Sequence, residues 1–275
     1  MGLIYAMIAM GLILLIRAVG VLNFAQGDLL MLGAYITCAF TVDLKLPLYI
    51  MMPLAVLSFA LIGFLFMLGT YWPLRKATYP VAPIIATMGA SLVISEGIVI
   101  LFGSWPRTMP NLITNSSGRA ATFSILGTKI QYQYLLIIIV ACLAMLFIHL
   151  LFEKSYTGRI MQAAAQDPSA AKLIGISSFF TTSATYALVT ILVGSAGFLV
   201  APIYTVTPSL ASLQLRAFAG TVIGGFGSIK GAVIGCLIVG LTEAFSTVSF
   251  SSYKDAVVFT VLIVFLLFRP QGIVK

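Results

Sequence analysis

With 61% of its 275 residues hydrophobic and only 8% charged, the chain lies far from the roughly 25% charge of a soluble globular domain, which excludes a water-soluble fold. Apolar runs near the length that crosses a bilayer core, about 20 residues, recur from end to end, so the lipid bilayer is the solvent and helices must pair the backbone polar groups. The net charge of +8 comes from bases scattered at the ends of apolar segments, where they set orientation and meet anionic head groups; it does not form a nucleic-acid-binding patch.

The chain opens on an apolar run, residues 1–16, without the basic region that precedes the core of a signal peptide. Ala6 stands where a myristoylation signal carries Ser or Thr, so a retained first helix is expected. It ends near Arg17. Residues 20–28 (GVLNFAQGD) interrupt with turn-prone Asn, Gly and Asp before residues 29–42 resume, which predicts two helices joined by a tight polar connection. A third helix is predicted over 48–72, stopped by Pro73, Leu74, Arg75 and Lys76, and a fourth over 81–102. Residues 103–129 form the longest polar connection. A fifth helix covers 131–152, the polar stretch 153–178 follows, and a sixth helix covers 179–200. Residues 213–227 are less apolar and Gly-rich and fall short of a full span, while 231–248 and 256–268 close the chain. The fold expected is an all-α polytopic membrane protein, one transmembrane domain over residues 1–275, with about eight transmembrane segments, one of them short or broken. No internal repeat is legible.

Orientation follows from the bases. Placing 153–178 and the C-terminus in the cytoplasm puts Arg17, Arg75, Lys76, Lys154, Arg159, Lys172, Lys230, Arg269 and Lys275 inside. Lys45, Arg107, Arg119, Lys129, Arg216 and Lys254 fall outside, a weak positive-inside bias. Tyr71, Trp72 and Trp105 at segment ends read as an aromatic belt. Cys38, Cys142 and Cys236 lie in apolar surroundings without short spacing and read as small core hydrophobes rather than a disulfide or metal set. His149, the single histidine, has no ligand partner at metal spacing. No nucleophile and base stand together, so the chain does not read as an enzyme.

The polar stretch reads EKSYTGRIMQAAAQDPSAAKLIGIS. Its Ala-rich centre suits a short helix across the cytoplasmic face that docks into a soluble partner, with Arg159, Asp167 and Lys172 as a polar rim. An ordinary solvated loop with some helix fits equally well, and the residues alone leave both open. The Gly-rich run 220–235 is not a phosphate loop. That motif ends in Gly-Lys-Ser/Thr, whereas Ser228, Ile229, Lys230 and Gly231 run in the wrong order, so the chain cannot be its own ATPase. Gly220 with Gly224, and Gly231 with Gly235, have the small-xxx-small spacing of closely packed helices; a gate or unwound pathway segment is the alternative. Acidic residues inside apolar segments are costly and often functional. Glu96, beside Ser91 and Ser95, and Glu243, next to Thr242, each read either as polar lining of the pathway or as an interhelical ion pair or near-interface group; for Glu243, close to its segment's end, the second reading is preferred.

Four stretches carry a resemblance: NFAQGDLLMLGAY (23–35), GRIMQAAAQDPSAAKLIGI (158–176), GTVIGGFGSIKGAVIG (220–235) and YKDAVVF with FRPQGI (253–259 and 268–273). They resemble the permeases of branched-chain amino acid ABC importers, in particular the LivH-type member of the permease pair, and the likeness spans nearly the whole chain. It implies a multi-pass subunit of the inner cell membrane that translocates branched-chain amino acids, or closely related solutes, by alternating access. The polar stretch becomes the cytoplasmic coupling helix that meets the ATPase, carried onto Gly158, Arg159, Ala163, Ala164, Asp167, Ala170 and Gly175. Many such importers carry Glu-Ala-Ala here, where Gln162, Ala163 and Ala164 stand. The resemblance also implies a second, LivM-like permease, two cytoplasmic ATPase subunits that hold ATP and Mg, and an extracytoplasmic substrate-binding protein. No cofactor is expected on this chain. The rival readings are an ion-coupled secondary transporter, with Glu96 as its ion-coupling residue, and a permease for urea or short amides.

Overall fold

The structure is a computed structural model that describes residues 1–75, 77–79, 81–113, 120–125, 128–249, 251–269 and 271–274. Lys76, Arg119 and Lys275 of the orientation argument lie outside the described residues, as do 114–119 and 126–127 of the polar connection. Eleven α-helices are described: α1 (Gly2–Val19), α2 (Gln26–Cys38), α3 (Leu48–Phe66), α4 (Ala82–Phe102), α5 (Tyr132–Lys154), α6 (Tyr156–Gln166), α7 (Pro168–Leu173), α8 (Ser178–Val200), α9 (Leu213–Gly224), α10 (Ile229–Ser249) and α11 (Lys254–Phe268). Wider π turns at Ala39–Asp43 and Met67–Tyr71 extend α2 and α3.

Helix α1 is apolar on every side, and such a helix has no face to give to water. Every residue from Ile4 to Leu15 is buried. It forms the axis of the bundle, with α8, α9, α10 and α5 packed around it. Its end is set by Gly20, whose φ of 76° is left-handed and whose N–H reaches the carbonyls of Leu15 and Ile16.

The connection after α1 differs from the tight turn expected. Asn23, Ala25, Gln26 and Asp28 are buried, and the Gln26 amide lies against Gly11, midway along α1. The chain therefore folds back into the bundle before α2 begins. Irregular backbone is tolerated at membrane depth only where protein satisfies it, and it is satisfied here. Asn23 Oδ1 accepts the N–H of Ala25 at 2.9 Å, Thr87 Oγ1 accepts that of Phe24 at 3.1 Å, and Gln214 Oε1 accepts that of Gly27 at 2.5 Å.

Among the described residues, six helical spans are long and apolar enough to cross a membrane: Gly2–Val19, Leu48–Tyr71, Ala82–Phe102, Tyr132–Lys154, Ser178–Val200 and Ile229–Val248. Helix α9, with 12 residues, and α11, with 15, are shorter. Within 103–129 the chain also starts a small antiparallel hairpin of β1 (Thr122–Ile125) and β2 (Thr128–Gln131), with Phe123 opposite Ile130.

Helices α9 and α10 meet backbone to backbone. A Cβ on Gly224 would run into the carbonyl of Gly231, and one on Gly235 into that of Gly220. The C-terminal tail completes this corner: the N–H groups of Ile273 and Val274 donate to the carbonyls of Ile223 and Gly224 at 3.0 and 3.1 Å, groups left unpaired at the end of α9. The Gly235→Leu variant should lose at least the 1–3 kcal/mol typical of overpacking, about the upper end since the obstacle is backbone. Thermal unfolding in detergent should show a clear fall in Tm, whereas Gly97→Ala, at an open position, should not.

Candidate functional site

At one end of the bundle, α5 runs into α6, and the two are joined rigidly. Ser155 caps α6 by accepting the N–H of Gly158 at 3.1 Å. Gly158 sits on the backbone of Leu151 and Phe152, where any side chain would collide. Gln162 Nε2 donates to the Phe152 carbonyl at 2.7 Å, one of the four carbonyls that a helix end leaves unpaired. Met161 and Ala164 complete the inward face of α6, which packs beneath α1 and α8 as well as α5.

The polar stretch holds two short helices, not the single one expected. The residue before a proline is pushed out of the helical region, and Asp167, ahead of Pro168, is extended at φ −143°. Its carboxylate then starts α7, accepting the N–H groups of Ser169 and Ala170, both at 2.9 Å. Asp167 is thus a cap as well as an exposed residue. Gly175 ends the unit in the left-handed region at φ 83°, and Ser177 caps α8.

The seven residues onto which the resemblance carried the coupling role divide by exposure. Gly158 and Ala164 face inward, while Arg159, Ala163, Asp167, Ala170 and Gly175 are exposed. The same unit also exposes three large apolar side chains that the sequence reading did not single out: Tyr156 and Ile174, each 75% exposed, and Leu173, 89% exposed. Their only sequence signal is apolar character inside a polar stretch.

A cleft of about 740 Å³ opens between α6–α7 and the ends of α1, α3 and α8, and its lining includes Val19, Tyr71, Trp72, Arg75 and Lys172. Trp72 is therefore more than a belt residue. The Arg75 guanidinium lies 3.4 Å above its ring, and Phe179 meets it edge-on at 4.7 Å. A second cleft at this end holds Arg17, His149, Glu153, Lys154 and Lys230, with Arg17 paired to Glu153 at 3.1 Å. The opposite end carries Arg107, which grips Asp43 through two contacts of 2.9 and 3.1 Å and bridges by backbone to Val206. The Asp43 hydrogen bond pushes the Arg107 pKa further up.

Two polar clusters lie between the helices. In the first, Ser95 Oγ donates to Asp28 at 2.8 Å, Ser91 faces the same carboxylate from one turn away, and Gln214 Nε2 donates to the Asn23 carbonyl at 3.2 Å. Of the expected pathway residues, Ser91 and Ser95 thus turn to α2, whereas Glu96 stands exposed on another side of α4. The sequence reading missed Asn23, Asp28 and Gln214 because NFAQGD also reads as a turn and Gln214 lies far along the chain. In the second cluster, buried Glu243 accepts from the Tyr5 hydroxyl and pairs with Arg216 at 3.5 Å and Lys254 at 3.9 Å, while Arg216 also holds Asp255 at 2.6 Å. This is the interhelical ion pair anticipated for Glu243.

Among the described residues, no group of three His, Cys, Asp or Glu side chains could hold a metal ion. Cys38 and Cys236 are buried, but Cys142 is exposed on α5, because that helix turns one side away from the bundle. It is not a core residue.

A family model described as "Branched-chain amino acid transport system / permease component" matches residues 1–266. Similar proteins include the high-affinity branched-chain amino acid transport system permease protein BraD of Pseudomonas aeruginosa, 32% identical over 283 residues that cover 99% of this chain and 92% of BraD. The corresponding LivH of Escherichia coli K12 is 31% identical over 286 residues, again 99% of this chain and 92% of the relative. A probable LivH of Methanocaldococcus jannaschii is 26% identical over 281 residues, covering 97% and 87%. No solved structure matches the chain.

Asp167→Ala should remove the α7 cap at a cost of about 1 kcal/mol, and Asp167→Asn should largely keep it; faster amide hydrogen exchange over 169–174 in the Ala variant alone would register this. Glu243→Leu strands the Tyr5 hydroxyl and half the pairing of half-buried Arg216. Its Tm should fall further than that of Asp255→Asn, which alters the exposed partner.

Proposed function

The chain belongs to the family of permease components of branched-chain amino acid transport systems, and from that membership we propose that it is the permease subunit of an ABC importer carrying branched-chain amino acids, or closely related small solutes, across the inner membrane. It is a multi-pass subunit. In this reading the α6–α7 end lies in the cytoplasm against two ATPase subunits, which bind ATP and Mg and supply the energy of hydrolysis. A LivM-like permease completes the membrane part, and a substrate-binding protein delivers the solute at the opposite end, where Arg107, Asp43 and the β hairpin lie.

The observation that carries the coupling role is the exposure of three large apolar side chains on the α6–α7 unit, Tyr156, Leu173 and Ile174. Large apolar groups set in a polar rim suit a groove on a soluble partner. Arg159, Ala163, Asp167, Ala170 and Gly175 are exposed on the same unit, while Gly158 and Ala164 lock it to the bundle. A push on α6 reaches α5 through the Gly158 contact and the Gln162 hydrogen bond, and reaches α1 and α8 by direct packing. Since α1 is the axis, displacing its end rocks the helices around it, which is the rigid-body movement that alternating access requires. Ser91, Ser95 and Asp28 give the joint between α2 and α4 a polar character that a moving solute can exploit, and the Gly220–Gly235 seam moves as one body.

Leu173→Asp combined with Ile174→Asp should abolish both co-purification of the ATPase subunits and ATP-driven uptake of labelled leucine into proteoliposomes, with membrane insertion unchanged. Retained ATPase binding would sink the coupling assignment. Leucine uptake that persists on an ion gradient without ATP, or that is replaced by uptake of urea, would overturn the importer reading.

A further inference from the structure

Helix α4 turns two unlike faces outward and inward. Its inward stripe is Thr87, Ser91, Ser95 and Ile98, which meets the start of α2 through the Thr87 and Ser95 hydrogen bonds. Half a helical turn away lie Ile85, Gly89, Val93, Glu96 and Ile100. All five are exposed, and Ile85, Val93 and Ile100 are 63–81% uncovered. A Cβ added to Gly89 would meet nothing within 4 Å.

A carboxylate on that face cannot belong to lipid. Glu96 stands six positions before Phe102, the last residue of α4, about 9 Å along a helix rising about 1.5 Å per residue. Its short side chain cannot snorkel that far, and a charge held in hydrocarbon is costly. Among the described residues it makes no ion pair. The other outward faces lack this conflict. Along α3, Leu54, Leu57, Leu61 and Leu65 face out, and the exposed Ser58 hydroxyl is satisfied by the Leu54 carbonyl at 2.8 Å. Along α5 the outward residues include Ile138, Ile139, Leu143 and Phe147.

We propose that the outer face of α4 is the contact surface for a non-identical permease subunit that presents a basic or amide side chain at the depth of Glu96. The inference rests on the permease reading above. Gly89 lets the facing helix approach closely, as small residues do between membrane helices. A second copy of this chain does not fit. Two membrane subunits with the same topology pair about an axis normal to the bilayer, which sets Glu96 against Glu96 at equal depth, like charge against like charge.

The test uses the complete transporter in nanodiscs, with a spin label at Val93→Cys in a Cys142→Ser background, and a label on native Cys142 as the lipid-facing reference. On assembly with the companion permease, the position-93 label should become immobile and lose severalfold of its accessibility both to oxygen, which samples lipid, and to a water-soluble nickel chelate. The Cys142 label should stay oxygen-accessible. Glu96→Leu should cut recovery of the companion severalfold, and Glu96→Gln should restore much of it. Three outcomes overturn the proposal: undiminished oxygen access at position 93, which assigns the face to lipid; nickel access, which assigns it to a water-filled path; and cross-linking to a second copy of this chain. If the unaltered chain captures no companion permease at all, the permease reading itself fails.

Discussion

The burial of α1 is the constraint on which the rest of the structure depends. A helix of Leu, Ile, Met and Ala on all sides gains nothing from water, and in lipid it would gain little from merely being apolar. Close packing decides its place. Gly2 lies against the backbone of α10 at Cys236 and Leu237, and Gly11 receives Gln26 and two valines of α8. With α1 at the axis, α8, α9 and α10 become its wall, and α3, α4 and much of α5 are left to the periphery.

The second consequence is that polar groups must be satisfied inside. The irregular segment between α1 and α2 survives at depth because Asn23, Thr87 and Gln214 supply what the backbone lacks, side chains drawn from three separate parts of the chain. The Glu243, Arg216, Tyr5 and Asp255 group does the same for charge, joining α1, α9, α10 and α11. Breaking one member of such a buried set is far more damaging than never having built it, so these clusters fix which helices are neighbours. They also set the mechanical problem for transport, because motion must pass between packed blocks without stranding these groups.

The α6–α7 unit meets that problem with short-range devices. Caps at Ser155, Asp167 and Ser177 and a left-handed Gly175 define its shape with little help from the bundle, while Gly158 and Gln162 bind it to α5. Its shape is therefore set mainly by local chemistry, and its attachment to the bundle by close contact with α5.

Much of this was legible beforehand. Hydrophobic run length placed α3, α4, α5, α8 and α10 to within a few residues, because span length is imposed by bilayer thickness and needs no tertiary information. Resemblance supplied the family. Local chemistry also foretold the shortness of α9 and the small-residue spacing along 220–235. What the sequence could not carry was partnership. Asn23 and Asp28 looked like a turn because their partners, Gln214 and Ser95, are remote in the chain; Cys142 looked like core, and Glu96 shared a segment with Ser95 although the helix turns the two to different sides. Periodicity and composition therefore determined that this is a helical membrane protein, where its long spans lie and what family it resembles. Only the tertiary structure decided which face of each helix is covered, since burial and pairing depend on helices that meet in space while lying far apart along the chain.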